Sequence, residues 1–308
     1  MCFILNSHES PAQQKTWRPA GPLTFIVCTG TGNAYDFLAR QMAQVLPDYL
    51  GKPVIVQNVT GAGGGNGLDA LHRVKPDGRT FALLAMDAYI SLTVSNPYKW
   101  NVKDFSYILS IDAPPWSVCS SKKYPTYKDL LQAKEVRITL SGQMISILPV
   151  LLELERNGKK YKVARFKGSA EAYLAVIAGD AEITMGALSA VVLDPIRAGD
   201  FRPLWIFADK RSPDLPSTPT HIELGMPKEW SAYRIIRLIA MPPGVPVDIQ
   251  NGMREALSKS LQDKRTLEWS KKSEIPVNLV PHETFKQRVD FIEGHIKSNL
   301  QLYKDFIL

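Results

Sequence analysis

Leu23-Thr24-Phe25-Ile26-Val27-Cys28, then Thr29-Gly30-Thr31-Gly32-Asn33, then Leu38, Met42, Val45 and Leu46 at helical spacing: this stretch sets the fold class. A short apolar run closed by a glycine turn reads as a buried strand. The recurrence that follows reads as a helix. The sequence repeats the alternation with Val54-Ile55-Val56, the glycine cluster Gly61 to Gly67, a helix through Leu68, Leu71 and Val74, the Pro76-Asp77-Gly78 turn, and Phe81 to Ala85. Strand, helix, strand, helix, strand predicts an α/β sheet, mostly parallel and flanked by helices. Ligands of such sheets bind outside the carboxyl ends of the strands.

Working outward, the same grammar continues. Strands are expected at Trp116–Cys119, Val136–Leu140, Val163–Phe166, Ile183–Met185, Leu204–Phe207 and Ile235–Ala240. Helices are expected at Tyr127–Ala133, Leu148–Leu154, Ala170–Ala178, Ala190–Ala198, Val247–Leu261 and Thr284–Tyr303. Residues 1–20 are polar and aperiodic and read as a loosely ordered leader. No linker or repeat divides the remainder, which fits two lobes joined by crossing strands. The expected first lobe is 21–118 plus 234–308, and the second is 119–233.

Composition narrows the function. Of 308 residues, 45% are hydrophobic and 22% charged, an ordinary globular balance. The net charge of +7 is scattered in pairs such as Lys122-Lys123 and Lys271-Lys272, without a basic block interleaved with aromatics. Nucleic acid is therefore not an expected partner. Cys2, Cys28 and Cys119 have no metal-ligand spacing, and Cys28 in its apolar run reads as a buried free thiol. No apolar stretch reaches the roughly 20 residues of a membrane span. Met1 to Ala20 lacks the basic and apolar regions of a signal peptide, so any such segment is expected to have been removed. Cys2 stands where the lipid-modified cysteine of a mature lipoprotein would stand.

Three strand-to-helix loops are candidates for binding. Helix starts expose unpaired N–H groups and the positive end of the dipole, so they can hold an anion. The first loop offers Thr29, Gly30, Thr31, Gly32, Asn33, Tyr35 and Asp36. As a dinucleotide fingerprint it fails, because Tyr35 occupies the third glycine position. The second, with Gly63 and Gly64, lacks the Lys-Ser/Thr ending of a phosphate loop. It is either a tight turn or a place where a ligand meets bare backbone. In the third, Lys167-Gly168-Ser169, Ser169 is a helix cap or part of a second anion site. His8, His72, His221, His282 and His295 form no metal motif, and no Gly-x-Ser-x-Gly elbow occurs. No catalytic residue, metal or cofactor is expected.

Pro53-Val54-Ile55-Val56-Gln57-Asn58, Gly61-Ala62-Gly63-Gly64 and Pro76-Asp77-Gly78-Arg79-Thr80 resemble a block typical of the solute-binding proteins of tripartite tricarboxylate transporters, the Bug family. Lys103-Asp104-Phe105, Phe166-Lys167-Gly168-Ser169, Ala198-Gly199-Asp200, Lys210-Arg211-Ser212-Pro213 and Pro243-Gly244-Val245-Pro246 follow in the family's order. The resemblance covers about residues 22–290. It implies a two-lobed periplasmic-binding-protein type II fold, each lobe a mixed, mostly parallel sheet flanked by helices. It implies a periplasmic or extracytoplasmic monomer that closes on a small carboxylate and delivers it to membrane permease subunits. Asp87, Ser141, Gln143, Ser146 and Gly186 join the expected ligand contacts on the same ground. The departures are local: Tyr35 replaces a small residue, the usual histidine after Ser146 is missing, and Arg165 and Arg237 stand where the family has proline and an aromatic. Either arginine would clamp a carboxylate or face solvent. A ligand-sensing module feeding a signalling partner, or an enzyme on the same scaffold, are the alternative readings.

Overall fold

A computed structural model describes residues 17–85, 89, 90, 92, 98–112, 114–141, 145–166, 168–233, 236–280 and 282–306. Cys2, Asp87, Gln143 and Lys167 lie outside them.

The opening stretch folds as its pattern predicts. β1 (Leu23–Val27) pairs in parallel with β2 (Val54–Asn58) and β3 (Thr80–Ala85). Between them run α1 (Ala34–Leu50) and α2 (Gly65–Arg73). β4 (Ser106–Asp112) completes the first pass, and a three-residue crossing leads to β5 (Trp116–Ser120) in a second sheet. The second sheet continues through α3 (Tyr127–Leu130), β6 (Glu135–Ser141), α4 (Leu148–Arg156), β7 (Lys160–Phe166), α5 (Ser169–Ala178), β8 (Ile183–Ala187), α6 (Ala190–Arg197) and β9 (Arg202–Ile206). The chain then returns to the first sheet as β10 (Ile236–Met241), α7 (Val247–Gln262), α8 (Lys264–Ser273) and β11 (Leu279–Val280). It ends in α9 (His282–Ser298) and α10 (Leu300–Phe306).

The strand orders are β11-β4-β10-β3-β1-β2 and β7-β6-β8-β5-β9. Both sheets are mixed. β10 runs antiparallel to β3 and β4, and β5 runs antiparallel to β8 and β9. β4 therefore points the same way as β1 and β3, and its end, Asp112, lies at their carboxyl edge. β5 starts with Trp116 opposite Ala187, the last residue of β8. The crossing thus joins the carboxyl edge of one sheet to that of the other.

Apolar burial holds each lobe. One face of the first sheet, with Phe25 stacked on Phe81 at 4.3 Å, packs on Leu38, Met42 and Leu46 of α1 and on Met253 and Leu257 of α7. In the second sheet, Cys119 and Ile206 pack with Tyr173 of α5 and Val192 of α6. Each such side chain contributes about 1.5–3 kcal/mol of burial. The largest core runs along both sheets through Trp100, Trp205, Tyr233 and Tyr303. The C-terminal helices touch both lobes. Lys103, beside β4, pairs with Asp290 and Glu293 of α9, each at 2.7 Å. His295 meets the Tyr233 hydroxyl at 2.5 Å, and Phe306 of α10 lies edge-on to Tyr161 of β7.

Three elements are absent from the predicted set: β4 (SYILSID), α8 (KRTLEWSKKS) and the two-residue β11. α8 buries only Thr266, so it has no apolar stripe to announce it. The expected single helix at 284–303 is two, with a break at Asn299.

Gly67 fixes how closely α2 sits on β1. A Cβ there would lie 2.4 Å from Cys28 Sγ and 3.1 Å from the Val59 carbonyl. Gly67→Ala should therefore cost about 1–3 kcal/mol in urea denaturation. Adding Cys28→Ala should recover only part of that loss, because the Cys28 Cβ, 2.9 Å away, and the Val59 carbonyl stay in place.

Candidate functional site

The polar strand-to-helix loops converge on the two joined edges. A cavity of about 450 Å³ marks the join, with Pro114 and Pro115 of the crossing, Leu188 and Ser189 after β8, and Pro276 and Asn278 before β11 in its lining. None of these residues was expected from sequence. They come from three separate segments, and only the topology brings them together.

In the first lobe, the loop after β1 is braced by its own side chains. Asn33 Oδ1 accepts from the N–H groups of Tyr35 and Asp36, and its Nδ2 donates to Thr29 Oγ1 and the Gly30 carbonyl. Asp36 is 2% exposed. Its carboxylate accepts from Gly32 N, Asn58 Nδ2 and Arg40. Asn58 also donates to the Thr29 carbonyl. The Arg40 guanidinium, helped by Gly32 and Asn58, holds the Asp36 carboxyl down at about 2. The start of α1 is thus capped from within. The backbone donors left to a ligand lie in the loop before it, around Gly30 and Thr31. Gly32 takes a positive φ of 81° to make that turn.

The second glycine loop follows β2. Gly63 and Gly64 have φ of 63° and 99°, and a Cβ on Gly64 would meet the Tyr89 ring at 2.7 Å. The bare backbone here lets a buried tyrosine lie against the loop.

The second lobe differs. Ser169 does not cap its helix: Gly168 holds the cap position, and Ser169 is the first helical residue, with its Oγ 3.1 Å from Ser141 Oγ. No side chain caps the start of α5. The same holds for α6, where Ser189 Oγ turns back to the Ala187 carbonyl. Two helix starts at one sheet edge therefore keep open N–H groups beside two hydroxyls.

The remaining expected residues are placed as follows. Ser146 is 0% exposed, and its Oγ has no hydrogen-bond partner among the described residues. Gly186 is buried, and a Cβ on it would strike Tyr173 Oη at 2.3 Å and Val192 Cγ2 at 2.4 Å. Its lack of a side chain is accounted for by the packing of α5 and α6. Arg165 is exposed on β7, at the sheet edge. Arg237 is 5% exposed, lies over the Tyr35 ring and donates to the Pro276 carbonyl. Arg40 and Asn58, which brace the first loop, were missed. The signal was Asn58, ending the Pro-Val-Ile-Val-Gln-Asn motif.

Among the described residues, no group of three His, Cys, Asp or Glu side chains could hold a metal ion, and no helix is long and apolar enough to cross a membrane. Comparison with known proteins adds the family. The model of the tripartite tricarboxylate transporter family receptor matches residues 38–302. The chain belongs to that family. Its members are solute-binding receptors of the periplasm and not enzymes. The chain is 32% identical over 289 residues to protein BugT of Bordetella pertussis, covering 89% of this chain and 87% of that one. The fold matches a solute-binding protein from Polaromonas, solved without ligand, with a TM-score of 0.76 at 23% identity, over 91% of this chain and 99% of that one. It also matches an R. palustris protein solved with adipate, with a TM-score of 0.71 at 21% identity, over 93% and 98% of the two chains.

The braced first loop makes stability depend on acid pH. A carboxylate held near 2 in the fold, against about 4 when unfolded, stabilises the protein above pH 4 and loses that contribution as pH falls towards 2. Asp36→Asn should lower the urea midpoint at neutral pH. The gap to the parent should shrink between about pH 4 and 2.

Proposed function

We propose that the protein captures a small carboxylate between its two lobes in the periplasm and delivers it, as a monomer, to the permease subunits of a tripartite tricarboxylate transporter. Di- and tricarboxylates and aromatic acids are the ligand class. The observation that carries this reading is the pair of uncapped helix starts, α5 and α6, beside Ser141 and Ser169 at the joined sheet edges. Open N–H groups and the dipole favour an anion there. A carboxylate takes two or more such donors at once. The adipate bound by the R. palustris protein of the same fold supports the same class.

The lobes in this reading are 21–118 with 234–308, and 119–233. Ligand would first dock on the second lobe. Hinge motion about residues 113–115 and the return crossing would then bring up Thr29 to Gly32 from the first. The closed form presents both lobe surfaces to the permease in one fixed relation.

Titration calorimetry with succinate, adipate, citrate and benzoate tests this. At least one acid should bind, and at a hundredfold excess over its Kd should stabilise the fold by about 2.7 kcal/mol in thermal melts. Ser169→Ala should weaken that acid about tenfold or more, since a hydrogen bond to a charged group is worth about 1.5–3 kcal/mol. Silence to every acid alongside a response to nucleotides would contradict the reading.

A further inference from the structure

Tyr35 is the second residue of α1 and closes the first loop. From Thr29 to Ala34 every side chain is small, so the Tyr35 ring is the bulkiest group of that loop. Its backbone is fixed on one side by Asn33, which takes its N–H, and on the other by Asp36. The ring itself is only partly buried.

Arg237 lies beneath it. As the second residue of β10, it pairs with Ala85 of β3 and Ile111 of β4, which puts it at the carboxyl edge of the first sheet. Its guanidinium carbon lies 5.8 Å from the centre of the Tyr35 ring, and its Nη1 donates to the Pro276 carbonyl at 2.9 Å. A cation is thus fixed at one end to the segment leading into β11 and lies over the ring. Cation–π contacts strengthen when both partners leave water, as this mostly buried arginine has. The arrangement fixes where the ring sits relative to the sheet edge.

We infer that the Tyr35 ring, held in place by Arg237, is the first-lobe stop that sets how long a carboxylate the cleft accepts. This rests on the carboxylate capture proposed above. An acid anchored by one end at the starts of α5 and α6 extends its chain toward the first lobe. The room left to that chain when the lobes close ends at the ring. Tyr35 acts as the specificity residue, and Arg237 as a positioning residue that works through it. The contact with Pro276 ties the stop to the hinge side of the cleft, because Pro276 also lines the cavity at the crossing.

The test is calorimetry with straight-chain dicarboxylates from succinate to suberate, on the parent, Tyr35→Ala, Tyr35→Phe, Arg237→Met, Arg237→Lys and the Tyr35→Ala/Arg237→Met pair. The parent should bind shorter members and lose affinity beyond a cut-off. Tyr35→Ala should move the cut-off to longer acids, raising the long-to-short affinity ratio about fourfold for each methylene newly buried. Arg237→Met should shift the ratio in the same direction, and the double variant should go no further than Tyr35→Ala. Tyr35→Phe keeps the ring and should stay near the parent ratio; Arg237→Lys loses the guanidinium over the ring and should shift the ratio as Arg237→Met does. Melting curves establish which variants fold, and the half-buried Tyr35 pair decides the matter if Arg237→Met does not. A parent that binds acids, with a ratio that Tyr35→Ala leaves unmoved, overturns this inference alone. Additive effects of Tyr35→Ala and Arg237→Met overturn the role of Arg237. A parent that binds none of the series overturns the inference together with the function it rests on.

Discussion

Residues 113–115 carry the chain from the end of β4 to the start of β5, and that short span constrains everything else. Three residues reach at most about 11 Å when extended. The carboxyl edges of the two sheets must therefore meet, whatever the lobes do elsewhere. Those edges are where strand-to-helix turns leave backbone donors unpaired. A polar cleft between the lobes is thus a consequence of strand direction, set by β10 running against β3 and β4 and by β5 running against β8 and β9.

The two sides of the cleft are built on different principles. The first-lobe loop is internally satisfied: Asn33, Asp36, Asn58 and Arg40 consume each other's hydrogen bonds and leave a stiff turn. In the second lobe, α5 and α6 start without a side-chain cap, so their first N–H groups are left to another partner. Stiffness on one side and unsatisfied donors on the other suit a binder in which one lobe recognises charge and the other supplies shape. The C-terminal helices add a third connection. Ionic contacts to Lys103 and the Tyr233–His295 bond seat α9, and Phe306 reaches the far edge strand.

Much of this was legible in the sequence because burial and periodicity wrote it there. The strands from Leu23 to Ala85 and their glycine turns were read directly, as were the helices expected at 148–154, 170–178 and 247–261, where apolar residues recur and which the fold holds at 148–156, 169–178 and 247–262. What was not legible had no local signature. α8 is polar on nearly all sides, and β11 has two residues. The cap at Gly168 rather than Ser169 depends on where the backbone turns, a matter of one residue that composition does not fix. Asn33 pairs with the loop it belongs to, and a sequence reading of helix starts as open donors does not anticipate that. The lining of the hinge cavity comes from segments more than 70 residues apart, joined only by the sheet order.

Cys28 and Cys119 lie buried in different lobes, and burial pushes both thiols up to about 12. Thiol exchange and peroxide attack proceed through the thiolate, which at neutral pH is then present at only about one part in a hundred thousand. A chain carrying an unpaired thiol in each lobe can thus pass through an oxidising environment once folded without acquiring a wrong disulfide. Before folding, both sulfurs are ordinary and reactive. Redox damage at these two thiols is therefore expected to track the speed of folding, and not the lifetime of the folded state.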